Sequence, residues 1–388
     1  TADITPKALT VSGVTAASKV YDQGTNATVD TSGAVYTGLI GGDVVNVSTT
    51  GAFTDKNVAN GKTVNLSSSY IGADVGNYSI TSQATTTADI TPKALTVSGV
   101  TAANKVYDQG TGATVSTAGA VYTGLIGGDV VSVSATGSFT DKNVANGKTV
   151  NLSSSYTGAD VGNYTITNQA TTTADITPKA LTVSGVTAAN KVYDQGTGAT
   201  VSTAGAVYAG LIGGDVVTVS ATGVFTDKNA ANGKTVNLSS SYTGADVGNY
   251  TITNQATTTA DITPKALTVS GVTAANKVYD QGTGAMVNST GAVYTGLIGG
   301  DVVTVSATGA FTDKNVANGK TVNLISSYAG ADVGNYAITN QATATADITP
   351  KALSISGISA ANKVYDQGTG ATVNTTGAVY TGLIGGDA

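Results

Sequence analysis

Thr1-Ala2-Asp3-Ile4-Thr5-Pro6-Lys7-Ala8-Leu9 opens the chain and decides its architecture, because the same nine residues return at Thr87, Thr173, Thr259 and Thr345. The step is 86 residues. A second run, Lys19-Val20-Tyr21-Asp22-Gln23-Gly24, returns with the same step at Lys105, Lys191, Lys277 and Lys363. All five prolines, Pro6, Pro92, Pro178, Pro264 and Pro350, fall on one repeat position. Self-similarity at a fixed period sets the architecture before any local reading. At this length each copy is a small domain, large enough to bury its own core without staples.

Within one copy no window carries a 3.6-residue apolar period. Leu9 and Val11, with Gly13, share one face of a first strand; Val45 and Val47, Val64 and Leu66, and Tyr78 and Ile80 each alternate with polar neighbours. That is the pattern of half-buried strands. Asp22-Gln23-Gly24 and Gly41-Gly42-Asp43 break the runs, and Asn60-Gly61 predicts a two-residue hairpin turn before a strand over 62–68. Seven or eight short strands per copy predict an all-β chain: a tandem array of immunoglobulin-like β-sandwich repeats set end to end as a rod. A β-grasp-like unit is the alternative, and it needs a helix that the sequence does not offer. Asp74-Val75-Gly76-Asn77-Tyr78 has the residue order of a tyrosine corner, in which the hydroxyl bonds to backbone a few residues upstream. The same order recurs at Asp160, Gly162 and Tyr164, at Asp246, Gly248 and Tyr250, and at Asp332, Gly334 and Tyr336.

Thr-Pro marks the joint between copies, since proline fixes its own φ and holds the residue before it extended. Pro92, Pro178, Pro264 and Pro350 are the joint prolines. Residues 1–4 then read as the tail of a preceding repeat, 5–90, 91–176, 177–262 and 263–348 as four complete repeats, and 349–388 as an incomplete fifth without its Asp-x-Gly-x-Tyr strand. Such short joints should hold neighbours with limited bending, each repeat burying mainly its own core.

Composition removes whole classes of function. The chain has no Cys, His, Trp, Arg or Glu; its 18 basic residues are all Lys and its 24 acidic residues all Asp. General-base histidine, thiolate chemistry and the usual metal ligands are therefore missing, and no Ser-Lys or Asp pair stands in a catalytic frame, so no enzyme is expected. A net charge of −6 with scattered lysines presents no basic stripe for nucleic acid. No apolar run is long enough to span a membrane. No cofactor is expected. Calcium is the one candidate the Asp content admits, but no two Asp stand at the close spacing that calcium loops use, and solvated Asp and turn caps fit better. A Lys-Asn or Lys-Asp crosslink needs a neighbouring buried acid, for which Glu is absent and Asp could serve, but it also needs a buried unpaired Lys, which is rare. Tyr21, Tyr36, Tyr70 and Tyr78 recur in each complete copy and are needed for the core, Tyr36 and Tyr70 being the more exposed pair.

Asp-Ile-Thr-Pro-Lys-Ala-Leu-Thr-Val, Lys-Val-Tyr-Asp, Phe-Thr-Asp-Lys-Asn-Val, Asn-Gly-Lys-Thr-Val and Gly-Ala-Asp-Val-Gly-Asn-Tyr follow one another in order. Together they resemble the YDG/MBG-type repeats of large bacterial exoproteins and adhesins of the two-partner-secreted, filamentous-haemagglutinin kind. One departure is an inserted glutamine, Tyr21-Asp22-Gln23-Gly24 in place of Tyr-Asp-Gly. The resemblance implies an extracellular protein of the bacterial cell surface or biofilm matrix, with this chain as structural stalk carrying an adhesive tip for attachment. The partners expected are flanking repeats of the same chain and, beyond them, extracellular polysaccharide or another adhesin stalk. A multivalent glycan-binding or homophilic module in each repeat is the alternative.

Overall fold

In repeat 1 of the computed structural model, which describes residues 1–388, Leu9 and Val11 lie on β1 (Lys7–Ser12), the central strand of a three-stranded sheet. Its neighbours are β6 (Val35–Thr37), antiparallel, and β9 (Tyr78–Thr81), parallel, with Leu9 opposite Ile80. A five-stranded sheet completes the repeat in the order β3 (Lys19–Val20), β10 (Thr85–Thr91), β8 (Ala59–Ile71), β7 (Asn46–Phe53) and β4 (Asn26–Ala27). β2 (Thr15–Ala16) and β5 (Val29–Asp30) form a separate pair. The same ten strands recur in repeats 2 to 4. The all-β tandem-repeat architecture therefore holds. Ten strands replace the expected seven or eight because five of them are only two or three residues long. Each of the two larger sheets also carries one parallel pair, so neither is purely antiparallel. The only helical turns in a repeat are three-residue 3-10 turns such as Val75–Asn77, which leaves a β-grasp unit without its helix.

The long β7–β8 hairpin binds the repeat together, pairing in register from Asn46↔Ile71 to Phe53↔Val64. At one end Val47 and Tyr70 pack over the small sheet with Leu9, Val11, Val45 and Tyr78. At the other, Phe53 and Val64 pack with Tyr21, Ala88 and Ile90. Two glycines make these approaches possible. A Cβ at Gly51 would lie 2.6 Å from Val29 Cγ2 and 2.9 Å from Val64 Cγ1, and one at Gly72 (φ +147) would lie 2.0 Å from the Val44 carbonyl oxygen. Asn60-Gly61 does not make a hairpin turn. β8 runs straight through it, with Gly61 at φ +59 and a register shift against β10 between Ala88 and Ile90. The positive φ that suits a tight turn here makes a β-bulge, and the Gly61 N–H donates to Asp89 at 2.7 Å.

The chain divides into two compact units: Thr1–Leu181 with Gly210–Val216 and Ala245–Thr251, and Thr182–Ala209 with Val217–Gly244 and Ile252–Ala388. The division does not follow the repeats, because two loops of repeat 3 pack with repeat 2. Within the first unit, Tyr21, Phe53, Val64 and Ile90 of repeat 1 share one apolar cluster with Leu95, Val97, Val131, Val133 and Tyr164 of repeat 2. Within the second, Tyr193, Phe225 and Ile262 likewise continue into Leu267, Val269 and Tyr336. The cores of neighbouring repeats thus adjoin across the joint. Apolar side chains at the end of one repeat and the start of the next are buried against each other.

Candidate functional site

The chain leaves repeat 1 on β10, ending at Thr91, and begins repeat 2 on β11 (Lys93–Ser98), so Pro92 alone separates them. Pro178 and Pro264 stand in the same place. After Pro350 the next strand starts only at Ser354. One residue cannot act as a flexible tether, and the surfaces on either side of it meet.

Repeat 1 contributes two projections. The first is the turn after β3. Asp22 accepts the Gly24 N–H at 2.8 Å, and Lys19 grips both Asp22 (2.7 Å) and the Gly24 carbonyl (2.8 Å). This closes a turn in which Gln23 takes φ +61, and Gln109, Gln195, Gln281 and Gln367 do likewise. A left-handed conformation costs a non-glycine residue about 1–2 kcal/mol, and such strain persists only where surrounding contacts enforce it. The second projection is the loop between β7 and β8. Asp55 accepts the Asn57 N–H at 2.8 Å and the Lys62 ammonium at 2.5 Å, leaving Lys56 pointing outward.

Both projections meet one residue of repeat 2. The Asp129 carboxylate accepts from the Tyr21 hydroxyl (3.1 Å), the Gln23 amide (2.6 Å) and the Tyr164 hydroxyl (2.6 Å), with the Lys56 ammonium at 3.4 Å. Gln23 also donates to the Gly127 carbonyl at 3.1 Å. Lys56 lies 3.2 Å from Asp160, and the Val58 N–H donates to Asn163 at 3.0 Å. The Tyr21 ring meets the Tyr164 ring edge-on, centroids 5.6 Å apart. Repeat 2 to repeat 3 gives the same set. Tyr107, Gln109 and Tyr250 donate to Asp215 at 3.1, 2.6 and 2.5 Å, with Lys142 between Asp215 and Asp246. Tyr193, Gln195, Tyr336 and Lys228 surround Asp301 in the third joint. At Asp387 only Tyr279 (2.8 Å) and Gln281 (2.7 Å) are engaged.

Burial opposes ionisation of Asp129, but the bonds from Tyr164, Gln23 and Tyr21 and the Lys56 charge outweigh it and hold the carboxyl below its usual range. Burial first, and the Asp129 bond second, push the Tyr164 hydroxyl up to about 12. The signs give a working window. A depressed aspartate pKa contributes stability above its unfolded value and loses it as pH falls through the folded one. A raised tyrosine pKa contributes below its unfolded value near 10 and loses it as pH rises toward 12. Thermal melting should therefore be flat from about pH 5 to 9 and fall on both sides. Replacing Asp129, Asp215 and Asp301 with Asn should flatten the acid limb, as measured by calorimetry across pH.

The sequence-predicted residues fall on this joint in part. Tyr78, Tyr164, Tyr250 and Tyr336 are buried, but their hydroxyls do not make the local bond of a tyrosine corner. Tyr78 accepts the Ile40 N–H (3.0 Å) and donates to Asp43 (2.5 Å), partners 38 and 35 positions upstream. Asp74 accepts the Val44 N–H at 2.9 Å, while Asp160, Asp246 and Asp332 make the equivalent bond and also meet a lysine of the preceding repeat. Gly76, Gly162, Gly248 and Gly334 have open space where a Cβ would sit, so packing does not demand glycine there. Gln23, Lys56, Asp129 and Asn163 and their copies went unrecognised, although the inserted glutamine was their visible signal. Tyr36 accepts the Val47 N–H and Tyr70 donates to Ser82, both half-buried. Lys56 spans Asp129 and Asp160, the two carboxylates that a cation at this joint would need, and no cluster of three carboxylates occurs. No helix is long and apolar enough to cross a membrane.

A model of the YDG domain matches residues 5–88, 91–174, 177–260 and 263–346. Comparison with curated proteins gives no match. Among solved structures the chain is similar to the Bacillus anthracis TIE protein, at 8% identity and a TM-score of 0.24, over 78% of this chain. It spans 58% of that protein's length. It is also similar to Drosophila N-cadherin EC1-4, at 8% identity and a TM-score of 0.24, over 89% of this chain and 92% of that one.

Proposed function

The chain belongs to the YDG domain family, and from that premise we propose that it is a load-bearing segment of an extracellular stalk in a bacterial adhesin or biofilm-matrix protein. It has no catalytic role in this reading. The observation that carries it is the buried Asp129 carboxylate with its four partners, repeated at Asp215 and Asp301. A stalk transmits force through its weakest connection, and here each connection is a packed interface. The test is single-molecule pulling between the chain ends. The reading expects a regular series of force peaks, each releasing one 86-residue repeat, ~290 Å of extended chain less its folded length. Smooth extension at low force would sink it.

A second reading, weak multivalent contact with polysaccharide, draws on one observation. Ser134, Thr136, Ser153 and Ser155 line a shallow groove on repeat 2 that recurs at Ser220, Thr222, Ser239 and Ser241 on repeat 3. Titration with neutral and acidic polysaccharides decides it, since this reading requires saturable binding and the stalk reading requires none.

A further inference from the structure

Asn60-Gly61, Asn146-Gly147, Asn232-Gly233 and Asn318-Gly319 are the Asn-Gly pairs of the chain, and all of them are exposed. Asn-Gly is the pair most prone to spontaneous deamidation, because glycine has no Cβ to hinder attack by its own nitrogen. That nitrogen loses its proton and attacks the asparagine Cγ. A C–N bond forms, ammonia leaves, and water opens the resulting succinimide ring at either carbonyl, giving aspartate or isoaspartate. In repeat 1 the pair occupies the bulge, where Ala59 faces Ile90 and Lys62 faces Ala88. Asn60 and Gly61 together stand opposite Asp89, two residues against one. The Asp89 carboxylate accepts the Gly61 N–H at 2.7 Å, and Asp175, Asp261 and Asp347 accept those of Gly147, Gly233 and Gly319, each at 2.7 Å. The nitrogen that would attack therefore has a carboxylate bound to its proton in every copy.

We propose that Asp89, Asp175, Asp261 and Asp347 guard these Asn-Gly sites against deamidation. Loss of the proton would set a negative nitrogen against a like charge and would break a charge-assisted hydrogen bond. Strand pairing on both sides of the bulge also restrains the backbone rotation that ring closure needs. The site bears on the joint. Lys234 follows Asn232-Gly233 and holds Asp227 at 2.5 Å, Asp227 accepts the Asn229 N–H at 2.8 Å, and this loop carries Lys228 to Asp301 and Asp332 of the next repeat. Isoaspartate in place of Asn232 would add a methylene to the backbone just before that anchor. The inference stands on the bulge alone and is independent of the stalk reading.

Repeat 3 permits the test within one molecule. Its tryptic peptide, Asn229–Lys234, reads Asn-Ala-Ala-Asn-Gly-Lys, whereas repeats 1, 2 and 4 give Asn-Val-Ala-Asn-Gly-Lys. The folded 388-residue chain is aged at mildly alkaline pH and digested briefly, and the exchange of NH2 for OH in each peptide is read by mass spectrometry. In the wild type both peptides should deamidate at least about tenfold more slowly than free synthetic Asn-Ala-Ala-Asn-Gly-Lys, and Asp261→Ala should speed Asn232 roughly tenfold while the other peptide keeps its rate. Asn190 donates to Asp261 at 3.0 Å. In repeat 1 Ser18 takes that place, and the Gly61–Asp89 bond is kept. Asn190→Ser, which alters the same bulge but leaves the guard, should therefore not move the Asn232 rate. If Asp261→Ala does not fold, Asp261→Asn, with an acceptor but no charge, carries the test and should speed Asn232 severalfold. A wild-type rate equal to that of the free peptide, an Asn232 rate unmoved by loss of the Asp261 charge, or Asn190→Ser acting as strongly as Asp261→Ala overturns the proposal.

Discussion

Replacing Tyr21 with Ala is expected to destabilise the block formed by repeats 1 and 2 by about 3–5 kcal/mol, the cost of emptying an aromatic site in a packed core. Tyr21 is one of the largest fully buried side chains of the protein. It packs in one cluster with Phe53 and Val64 of its own repeat and with Leu95 and Tyr164 of the next. Its removal also takes a hydroxyl from Asp129 and a ring from beneath Lys56. Urea unfolding should show a fraction of the signal moving to lower denaturant. Tyr365→Ala supplies the exposed counterpart within the same molecule: the residue has the same sequence neighbours but is 87% exposed, without the core strands or the joint that surround Tyr21, and its replacement should leave stability unchanged within about 0.5 kcal/mol. Equal effects at both positions would mean that local sequence, and not packing, sets the stability.

Asp129→Ala is the second large effect, at about 2–4 kcal/mol. The change leaves two buried tyrosine hydroxyls short of an acceptor, and each unsatisfied buried group costs about 1–3 kcal/mol. Tyr164 retains the Ile126 N–H, but Tyr21 and Gln23 lose a shared partner and Lys56 keeps only Asp160. Asp43→Ala removes the same side chain from repeat 1, where only Tyr78 donates to it. It should cost about 1 kcal/mol, the worth of one hydrogen bond. The difference between the two substitutions, read from thermal melts, isolates what the preceding repeat adds.

The sequence made the period, the strands and the proline position legible because each is a local signal. Leu9 and Val11, Val64 and Tyr78 point inward as alternation required, and Pro92 sits between β10 and β11. The joint's chemistry was not legible, because its partners are far apart in the chain. Tyr21 and Asp129 are 108 positions apart, Gln23 and Asp129 106, Lys56 and Asp160 104. Each of these residues, taken alone, reads as a turn residue or a solvated charge. Gly127 and Asp129 resemble a loop break, and only a facing surface turns Asp129 into a buried acceptor. The tyrosine motif shows the same limit. Its residue order was right for a local hydroxyl bond, yet Tyr78 bonds to Ile40 and Asp43 because β9 lies beside β1 and not beside its own upstream turn. Asn60-Gly61 supplied the expected positive φ, but β8 pairs with β10 on both sides of it, Ala59 with Ile90 and Lys62 with Ala88, so the turn signal became a bulge.

The central claim is that neighbouring repeats are fused through these joints and do not fold as independent beads. Scanning calorimetry of the whole chain, beside the triple variant Asp129→Ala, Asp215→Ala, Asp301→Ala, tests it most directly. Independent repeats give a calorimetric enthalpy about four times the van 't Hoff enthalpy, and coupled repeats give a smaller ratio. The wild type is predicted to melt with a ratio well below four, and the triple variant to melt earlier with a ratio rising toward four. A wild-type ratio already near four, unmoved by the three substitutions, would contradict the account.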